Sequence, residues 1–442
     1  MKMRNRSLFS SVTFGLIFTS LITPRAHVAA NEVTLQGIVR DTSDNILPGV
    51  AIAVIGTNAT AVTDENGKFS FSVTAPEQVQ LELSKEGYLE AELSVSDPTQ
   101  PIEAALAALT DDTGLIRHTA MISMSHSLIE IRRDTKQYKN RPMTDELYQE
   151  IVSRYGEKPA EEAVFRIYLP PRVPKINGLL LISEHGVGGA MMEHDLVREF
   201  ADRHHVALIG VLGNAIQRGI YPASALDSIL VDIADRVNHP EITSAPVFTF
   251  GHSNGTGFSA SYAAMRPDRV IGWVSFHSGG SWHLVFPGVE NVPGLVMHGN
   301  KDSYFDQGQA PAIEDLRVQR DAPVALLVDG EGGHWPRKRE ATFALVLAFY
   351  ESCLRIRVDG RDPNITTKTW PVAPLKPAVI QRGWLGSTYD RSVGGMQKLD
   401  IARYNDYQGD RRKANWLPDE TFAEAWQNYG ETLDLSGSRF AQ

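Results

Sequence analysis

Cysteine is almost absent from this chain of 442 residues, which contains Cys353 alone. One thiol cannot form an intrachain disulfide, and it cannot supply the several thiolates of a structural zinc site. Cys353 lies in an apolar stretch at residues 343–354, so we predict that it packs in a core as a small hydrophobic side chain. The 13 histidines are scattered, and the adjacent pair His204 and His205 is not followed by a second ligand motif. The sequence therefore predicts no metal centre and no other cofactor.

Positive charge and long apolar runs are also scarce. The chain has 43 basic and 53 acidic residues, a formal charge of −10, with two short basic clusters at residues 337–339 and 411–413. A nucleic-acid-binding protein needs clustered Lys and Arg to neutralise phosphates, so this class of function is excluded. Beyond residue 30, no segment holds 18 uninterrupted apolar residues, and we expect no stable membrane insertion of the mature chain.

The first 30 residues have the pattern of a secretory signal. Basic side chains precede an apolar stretch at residues 8–22, and small residues follow at Val28-Ala29-Ala30. Serines and threonines interrupt the apolar stretch, which is too short for an uncleaved membrane anchor. We therefore predict a signal peptide at residues 1–30, cleavage after Ala30, and export to the periplasm or the medium.

Short alternating runs between residues 31 and 97 predict a small all-β domain. Turn sequences separate these runs: Leu47-Pro48-Gly49 precedes one strand, and Asn66-Gly67 supplies the positive φ that a hairpin needs. Together with Glu86-Gly87-Tyr88, these motifs resemble the carboxypeptidase regulatory-like, transthyretin-like β-sandwich family. The resemblance implies an accessory module that stabilises the protein or docks it on a surface.

The following segment changes character at about residue 163. We interpret residues 98–162 as a linker and lead-in, with a strand candidate at 119–131 and a helix candidate at 144–155. From residue 163 to 357, strands and helices alternate, which indicates βαβ units and a parallel sheet. The strands are almost continuously apolar, as in a sheet that is buried on both faces. We therefore predict an α/β catalytic domain at residues 163–357.

An apolar strand at residues 246–250 runs directly into Gly251-His252-Ser253-Asn254-Gly255 and then into a predicted helix. In this context G-x-S-x-G places a serine on a tight strand-to-helix turn. The flanking glycines allow the crowded backbone, and the helix N-terminus faces the reacting centre. The alternative interpretation is a glycine-rich turn in which Ser253 caps the helix.

Three further loops favour catalysis, and each of them follows a predicted strand. They contain Asp302 after the strand at 294–297, His334 in a glycine-rich loop after the strand at 324–328, and the upstream turn His185-Gly186-Val187-Gly188-Gly189. The order Ser, Asp, His with an earlier HG turn resembles the α/β-hydrolase family. The resemblance implies an α/β fold, with a mostly parallel sheet flanked by helices, preceded here by the small β-sandwich.

The resemblance also implies a role for each residue. Ser253 is the expected nucleophile, His334 the base, and Asp302 the acid that orients the imidazole. The backbone N–H groups of Asn254 and Val187 are the expected oxyanion hole.

Other side chains near these motifs have competing interpretations. Asp306 is an alternative acid, four residues after Asp302. His252 and His298 are predicted to pack or to form hydrogen bonds rather than to react. Trp282 and Trp335 are candidates for lining an acyl or sugar pocket, or for ordinary packing.

Residues 358–442 combine a proline-rich entry with many aromatic side chains, a composition that is not typical of disorder. We predict an extension that wraps the hydrolase surface, with a short helix near residues 419–429. We also hypothesise that this extension roofs the pocket.

The motifs indicate an esterase more strongly than the other possibilities. The HGVGG turn, the GHSNG elbow and the HGNKD segment are similar to the depolymerase and feruloyl-esterase branch of the α/β hydrolases. That similarity implies a small-molecule or polymeric carboxylic ester as substrate. A serine peptidase on the same fold is the alternative chemistry, and a non-catalytic carbohydrate- or surface-binding protein is the alternative class. The sequence predicts no oligomeric state.

Overall fold

A computed structural model describes residues 32–435. Its gaps are residues 42–43, 56, 75–78, 86–87, 89–90, 96, 107–114, 126–137, 139–140, 143, 172, 213–222, 278–285, 304, 306–312 and 359–370. The predicted signal peptide at residues 1–30 lies outside the described residues. Within those residues, none of the helices combines the length and hydropathy needed to cross a bilayer.

The N-terminal unit is a sandwich of two small sheets. Its strands are β1 (Glu32–Asp41), β2 (Ala51–Val54), β3 (Thr60–Val62), β4 (Lys68–Thr74), β5 (Val79–Ser84), β6 (Ala91–Val95) and β7 (Ile102–Leu106). One sheet has the order β3-β2-β5-β6 and the other β4-β1-β7. Alternate side chains such as Phe69 and Val73 on β4 point into a separate apolar core between the sheets. Gly67 has φ +69°, as the Asn-Gly turn predicts.

The boundary predicted for this domain is too early. Residues 102–106, which we assigned to a linker, form β7 and pair in parallel with β1 at the edge of a sandwich sheet. Ile102 and Leu106 are buried in the sandwich core. A strand of five residues between turns has too few alternating positions to be distinguished from a linker by sequence alone.

The larger unit is built on an eight-stranded sheet. Its strands are β8 (Ile116–Ser125), β9 (Glu157–Tyr168), β10 (Gly178–Ser183), β11 (Val206–Leu212), β12 (Val247–His252), β13 (Val270–Phe276), β14 (Gly294–Gly299) and β15 (Val324–Asp329). Their order is β15-β14-β13-β12-β10-β11-β9-β8. Strands β10 to β15 pair in parallel, whereas β9 is antiparallel to both of its neighbours. This sheet extends into the predicted lead-in, since β8 and the first residues of β9 lie within 98–162.

Helices cover both faces of this sheet. They are α1 (Asp145–Tyr155), α2 (Val187–Glu193), α3 (Asp195–His204), α4 (Ala223–Val237), α5 (Thr256–Met265) and α6 (Arg339–Arg357). Leu179 and Leu181 on β10 face the core that contains α4 and α5, while Leu180 and Ile182 face the core that contains α2, α3 and α6. A strand buried on both faces reads as a continuous apolar run, which explains the sequence pattern. The strand order and direction define an α/β-hydrolase fold.

The C-terminal extension packs against this sheet. It contains α7 (Pro377–Ile380), β16 (Trp384–Gly386), β17 (Ile401–Arg403), β18 (Asn415–Leu417) and α8 (Glu420–Thr432). Asp419 caps the N-terminus of α8 by accepting a hydrogen bond from the Phe422 N–H, and Trp426 is buried against the core that contains α6. The helix predicted near 419–429 is confirmed. The three short strands were not predicted.

Strand order reverses beside β10, which lies between β11 and β12. In open α/β sheets such a switch point opens a crevice at the carboxyl ends of the strands. The G-x-S-x-G turn follows β12 and the HG turn follows β10, so both of them lie at this crevice.

Candidate active site

Ser253 occupies a strained turn between β12 and α5. Its φ is +51°, a left-handed conformation that is unfavourable for a residue with a Cβ. A Cβ on Gly251 would lie 2.1 Å from the Gly255 carbonyl oxygen, and one on Gly255 would lie 2.3 Å from Ser183 Oγ. Both glycines are therefore required because the turn leaves no room for a side chain.

The structure brings three predicted residues into one hydrogen-bonded chain. Ser253 Oγ lies 2.9 Å from His334 Nε2, and His334 Nδ1 lies 2.8 Å from Asp302 Oδ2. All three side chains are buried. The geometry fits a neutral imidazole that donates its Nδ1–H to the carboxylate and accepts the serine proton at Nε2.

Asp302 faces three imidazoles through one oxygen. His277 Nδ1 is 3.5 Å and His298 Nδ1 is 3.9 Å from the same Oδ2 that His334 contacts. Burial alone would raise the pKa of Asp302, but its contacts with the His277 and His334 imidazoles hold this pKa well below its usual range. The carboxylate therefore stays ionised and is fixed in direction.

The neighbouring histidines are neutral because they are buried. Desolvation lowers the pKa of His298 to about 4, and it also lowers the pKa of His277 and of His252. His277, His298 and Asp302 bring one potential ligand atom each within 4.8 Å of one another. However, Asp302 Oδ2 already accepts from His334, and His298 Nδ1 lies 3.1 Å from the Gly299 carbonyl oxygen. The cluster thus fits a packed group of imidazoles around the carboxylate better than a metal centre.

The oxyanion hole of Asn254 and Val187 stays a prediction, and one of its two N–H groups has another partner in the structure. Asn254 follows Ser253 directly in the turn that begins α5. Val187 begins α2 at the HG turn, but its N–H donates to His252 Nδ1 over 3.2 Å. The structure therefore places this donor on a neighbouring imidazole rather than leaving it free toward Ser253, and substrate would have to compete for it.

His252 connects three loops of the site. Its Nδ1 is 3.0 Å from the His185 carbonyl oxygen, and its Nε2 is 3.3 Å from the His334 carbonyl oxygen. Its ring packs against Trp335 at a centroid distance of 4.9 Å. The prediction of a packing and hydrogen-bonding role for His252 agrees with these contacts. Of the other candidates, Trp282 and Asp306 lie outside the described residues.

Backbone hydrogen bonds join the loops that carry Asp302 and His334. The N–H of Asn300 donates to the Asp329 carbonyl over 2.9 Å, and the N–H of Lys301 donates to the Gly332 carbonyl over 2.8 Å. A Cβ on Gly299 would lie 2.1 Å from the Gly333 carbonyl oxygen. The glycines of these two loops thus allow the close approach that brings Asp302 to His334.

His277 is the residue of this site that sequence reasoning missed. It follows β13 directly, and its side chain is buried. Its backbone has φ +48°, which is uncommon for a residue other than glycine. Its position at the carboxyl end of a parallel strand, beside the strand that leads to Asp302, was a usable signal.

Residues 34–114 match the family model of the carboxypeptidase regulatory-like domain. The N-terminal unit is such a domain. The match extends past β7, which agrees with the later boundary in the structure. It covers less than a fifth of the chain and assigns no activity to the larger unit. A search of curated protein sequences found no significant match.

Solved structures similar to parts of the chain share little sequence with it. An S-formylglutathione hydrolase from Staphylococcus aureus is 13% identical, with 54% of this chain and 99% of that chain covered and a TM-score of 0.32. Est1E from Butyrivibrio proteoclasticus is 16% identical, with 44% and 95% covered and a TM-score of 0.31. A cohesin–X-dockerin complex from Acetivibrio cellulolyticus is 24% identical, with 16% of this chain and 52% of that chain covered and a TM-score of 0.14. The strand order and the strand directions alone define the fold of the larger unit.

Proposed function

We propose that this protein is an exported serine hydrolase that cleaves carboxylic esters. The observation that carries the proposal is the chain of hydrogen bonds from Ser253 through His334 to Asp302, set on a strained turn between a strand and a helix. A serine that merely caps a helix needs neither an imidazole partner at 2.9 Å nor a left-handed backbone.

The geometry supports a two-step acyl transfer. As Ser253 Oγ attacks the ester carbonyl, its proton passes to His334 Nε2, and Asp302 stabilises the imidazolium that forms. The tetrahedral intermediate collapses as His334 returns the proton to the leaving alkoxide. Water then attacks the acyl-enzyme with the same imidazole as base, which releases the carboxylic acid and restores Ser253.

Backbone N–H groups at the starts of helices are suited to stabilise a negative charge that develops beside them. The proposal assigns Asn254 and Val187 to the oxyanion, with Val187 leaving its bond to His252 when the oxyanion forms. An anionic oxygen is a stronger acceptor than a neutral imidazole nitrogen, so this exchange is favourable.

The N-terminal features support export. Residues 1–30 have the signal pattern described above, and the proposed mature chain begins at residue 31. Within the proposal, the carboxypeptidase regulatory-like domain is an accessory module, and the substrate is a small-molecule or polymeric ester.

Replacement of the three residues tests the chemistry. Ser253→Ala and His334→Ala are expected to abolish turnover of a simple aryl ester, whereas Asp302→Asn leaves a residual rate after a loss of up to about 10⁴-fold in kcat. Ser259→Ala is the matched control, because Ser259 is a buried serine of α5 whose hydroxyl donates to the Thr256 carbonyl within its own helix. Thermal unfolding of each variant reports folding. Turnover retained by folded Ser253→Ala would refute the assignment.

A further inference from the structure

A segment of the C-terminal extension lies against the two loops that carry Asp302 and His334. We call this segment, residues 389–396, the strap. It is distant in sequence from both loops and belongs to the extension that we predicted to wrap the surface and to roof the pocket. Its contacts with each loop are specific hydrogen bonds and close backbone packing.

Arg391 connects the strap to the loop that carries Asp302. The Nε–H of Arg391 donates to Asn300 Oδ1 over 3.0 Å, and its NH2 group donates to the Asn300 carbonyl over 3.0 Å. The same guanidinium lies 4.1 Å above the centroid of the Phe305 ring. Asn300 and Phe305 flank Asp302 on either side, so one side chain fixes both ends of the turn that presents the carboxylate.

The turn between these two anchors is itself tight. The N–H of Asp302 donates to the Gly299 carbonyl over 3.1 Å, and the N–H of Phe305 donates to the Asp302 carbonyl over 3.1 Å. A movement of Asn300 or Phe305 is therefore passed directly to the Asp302 backbone.

The strap also contacts the loop that carries His334. A Cβ on Gly330 would lie 1.7 Å from the Gly395 carbonyl oxygen, so the two backbones are in direct contact. Arg337 donates to both carboxylate oxygens of Asp329, and its NH2 group lies 3.3 Å from the Met396 sulfur. The loop that carries Asp302 and the loop that carries His334 thus both contact the strap.

Internal hydrogen bonds order the strap itself. Asp390 Oδ1 accepts from the Ser392 N–H and hydroxyl over 2.9 and 2.6 Å. The Tyr389 hydroxyl donates to the Gly395 carbonyl over 2.8 Å, and Gly394 and Gly395 have φ values of +67° and +62°. A segment with this much internal bonding can position another loop.

We propose that Arg391 is a positioning residue for Asp302, and that the strap is a working part of the catalytic unit. This inference rests on the proposed function. Asp302 acts on the reaction by fixing the orientation of the His334 imidazole. That orientation matters most when the imidazole becomes charged in the transition state. Loss of Arg391 therefore lowers kcat and leaves KM nearly unchanged.

The experiment compares full-length Arg391→Ala with Arg403→Ala. Arg403 is an exposed arginine of the same extension, and its guanidinium lies 5.9 Å from the centroid of the Trp384 ring. We expect kcat for an aryl ester to fall between about 10- and 100-fold in Arg391→Ala, with KM within about twofold, and to change little in Arg403→Ala. Equal rates in wild type and Arg391→Ala, or equal losses in the two variants, would overturn the inference.

Two readouts separate positioning from a loss of folding. Millimolar guanidinium, which can refill the site of the missing side chain, is expected to raise the rate of Arg391→Ala and not that of Arg403→Ala. In a double-mutant cycle, Arg391→Ala and Asn300→Ala are expected to be non-additive in kcat because their side chains are bonded. No rescue together with additive effects would contradict the positioning role.

Failure of this inference is distinguishable from failure of the proposed function. If the wild-type protein neither turns over esters nor forms an adduct on Ser253, the proposed function itself is wrong. A wild-type protein that does both, with Arg391→Ala unchanged, removes the role of Arg391 alone.

Discussion

At the scale of single residues, steric space at the turn that carries Ser253 determines which amino acids can occupy its flanking positions. Gly251 faces the backbone carbonyl of Gly255, whereas Gly333, beside His334, has no atom within 4 Å of the position that a Cβ would occupy and needs no positive φ. Two glycines of the same site therefore differ in the reason for their presence.

We expect Gly251→Ala to lower the free energy of unfolding by about 1–3 kcal/mol and to reduce ester turnover, because a Cβ displaces the turn that carries Ser253. The matched Gly333→Ala is expected to change the stability by less than about 0.5 kcal/mol. Urea unfolding of both variants measures the difference. Equal stabilities would show that the turn relaxes without cost.

Buried neutral histidines make the stability of the fold dependent on pH. His298 has a pKa of about 4 in the folded protein, against about 6.5 in an unfolded chain. Between these values the unfolded state binds more protons, so stability rises with pH. His252 and His277 shift in the same direction. The pKa of Asp302 lies below its usual range, so its contribution to stability is lost only at still lower pH.

We therefore predict that the free energy of unfolding falls as pH is lowered from 6.5 to 4, with His298 contributing up to about 1.4 kcal/mol per pH unit. Urea unfolding at several pH values gives the slope. His298→Asn removes one titrating group and is expected to flatten the curve. An unchanged slope in this variant would mean that His298 is not the group that titrates.

At the scale of elements, the C-terminal extension completes the edge of the main sheet. Asn415 on β18 is buried, and its Oδ1 accepts from the N–H of Leu326 on the edge strand β15 over 2.7 Å. Its Nδ2 group donates to the Ser387 carbonyl over 2.9 Å. A covered edge does not offer unpaired backbone groups to other chains.

We expect Asn415→Ala to lower the free energy of unfolding by about 1–3 kcal/mol, because it leaves the Leu326 N–H and the Ser387 carbonyl without these partners. The exposed Asn405, between β17 and β18, is the control, and Asn405→Ala is expected to be neutral within about 0.5 kcal/mol. Chemical unfolding measures both variants. An unchanged stability of Asn415→Ala would imply that water forms hydrogen bonds with the Leu326 N–H and the Ser387 carbonyl in its place.

Elements with a clear period could be predicted from sequence, and very short elements could not. The apolar run before G-x-S-x-G forms β12, and the helix after it forms α5. In contrast, β7, β16, β17 and β18 have three to five residues, and their pairing depends on partners that are far away in sequence. Local pattern carries no information about such partners.

At the scale of the whole molecule, parallel strand direction explains how distant residues meet. Ser253 and His334 are 81 residues apart, and Asp302 and His334 are 32 apart, yet each follows a strand whose carboxyl end lies at the same edge of the sheet. Because of this rule, the proximity of Ser253, Asp302 and His334 could be predicted from the sequence. Side-chain placement such as His252 on Val187, or Arg391 on Asn300, depends on tertiary packing that no motif specifies.

The central claim is that Ser253 is an activated nucleophile. The most direct measurement is labelling of purified residues 31–442 with a fluorophosphonate probe, followed by mass mapping of the modified residue, with His334→Ala as control. The account predicts a single adduct on Ser253 that forms in the wild type and forms much more slowly in His334→Ala. A folded protein with no adduct, or with its adduct on another residue, would contradict it.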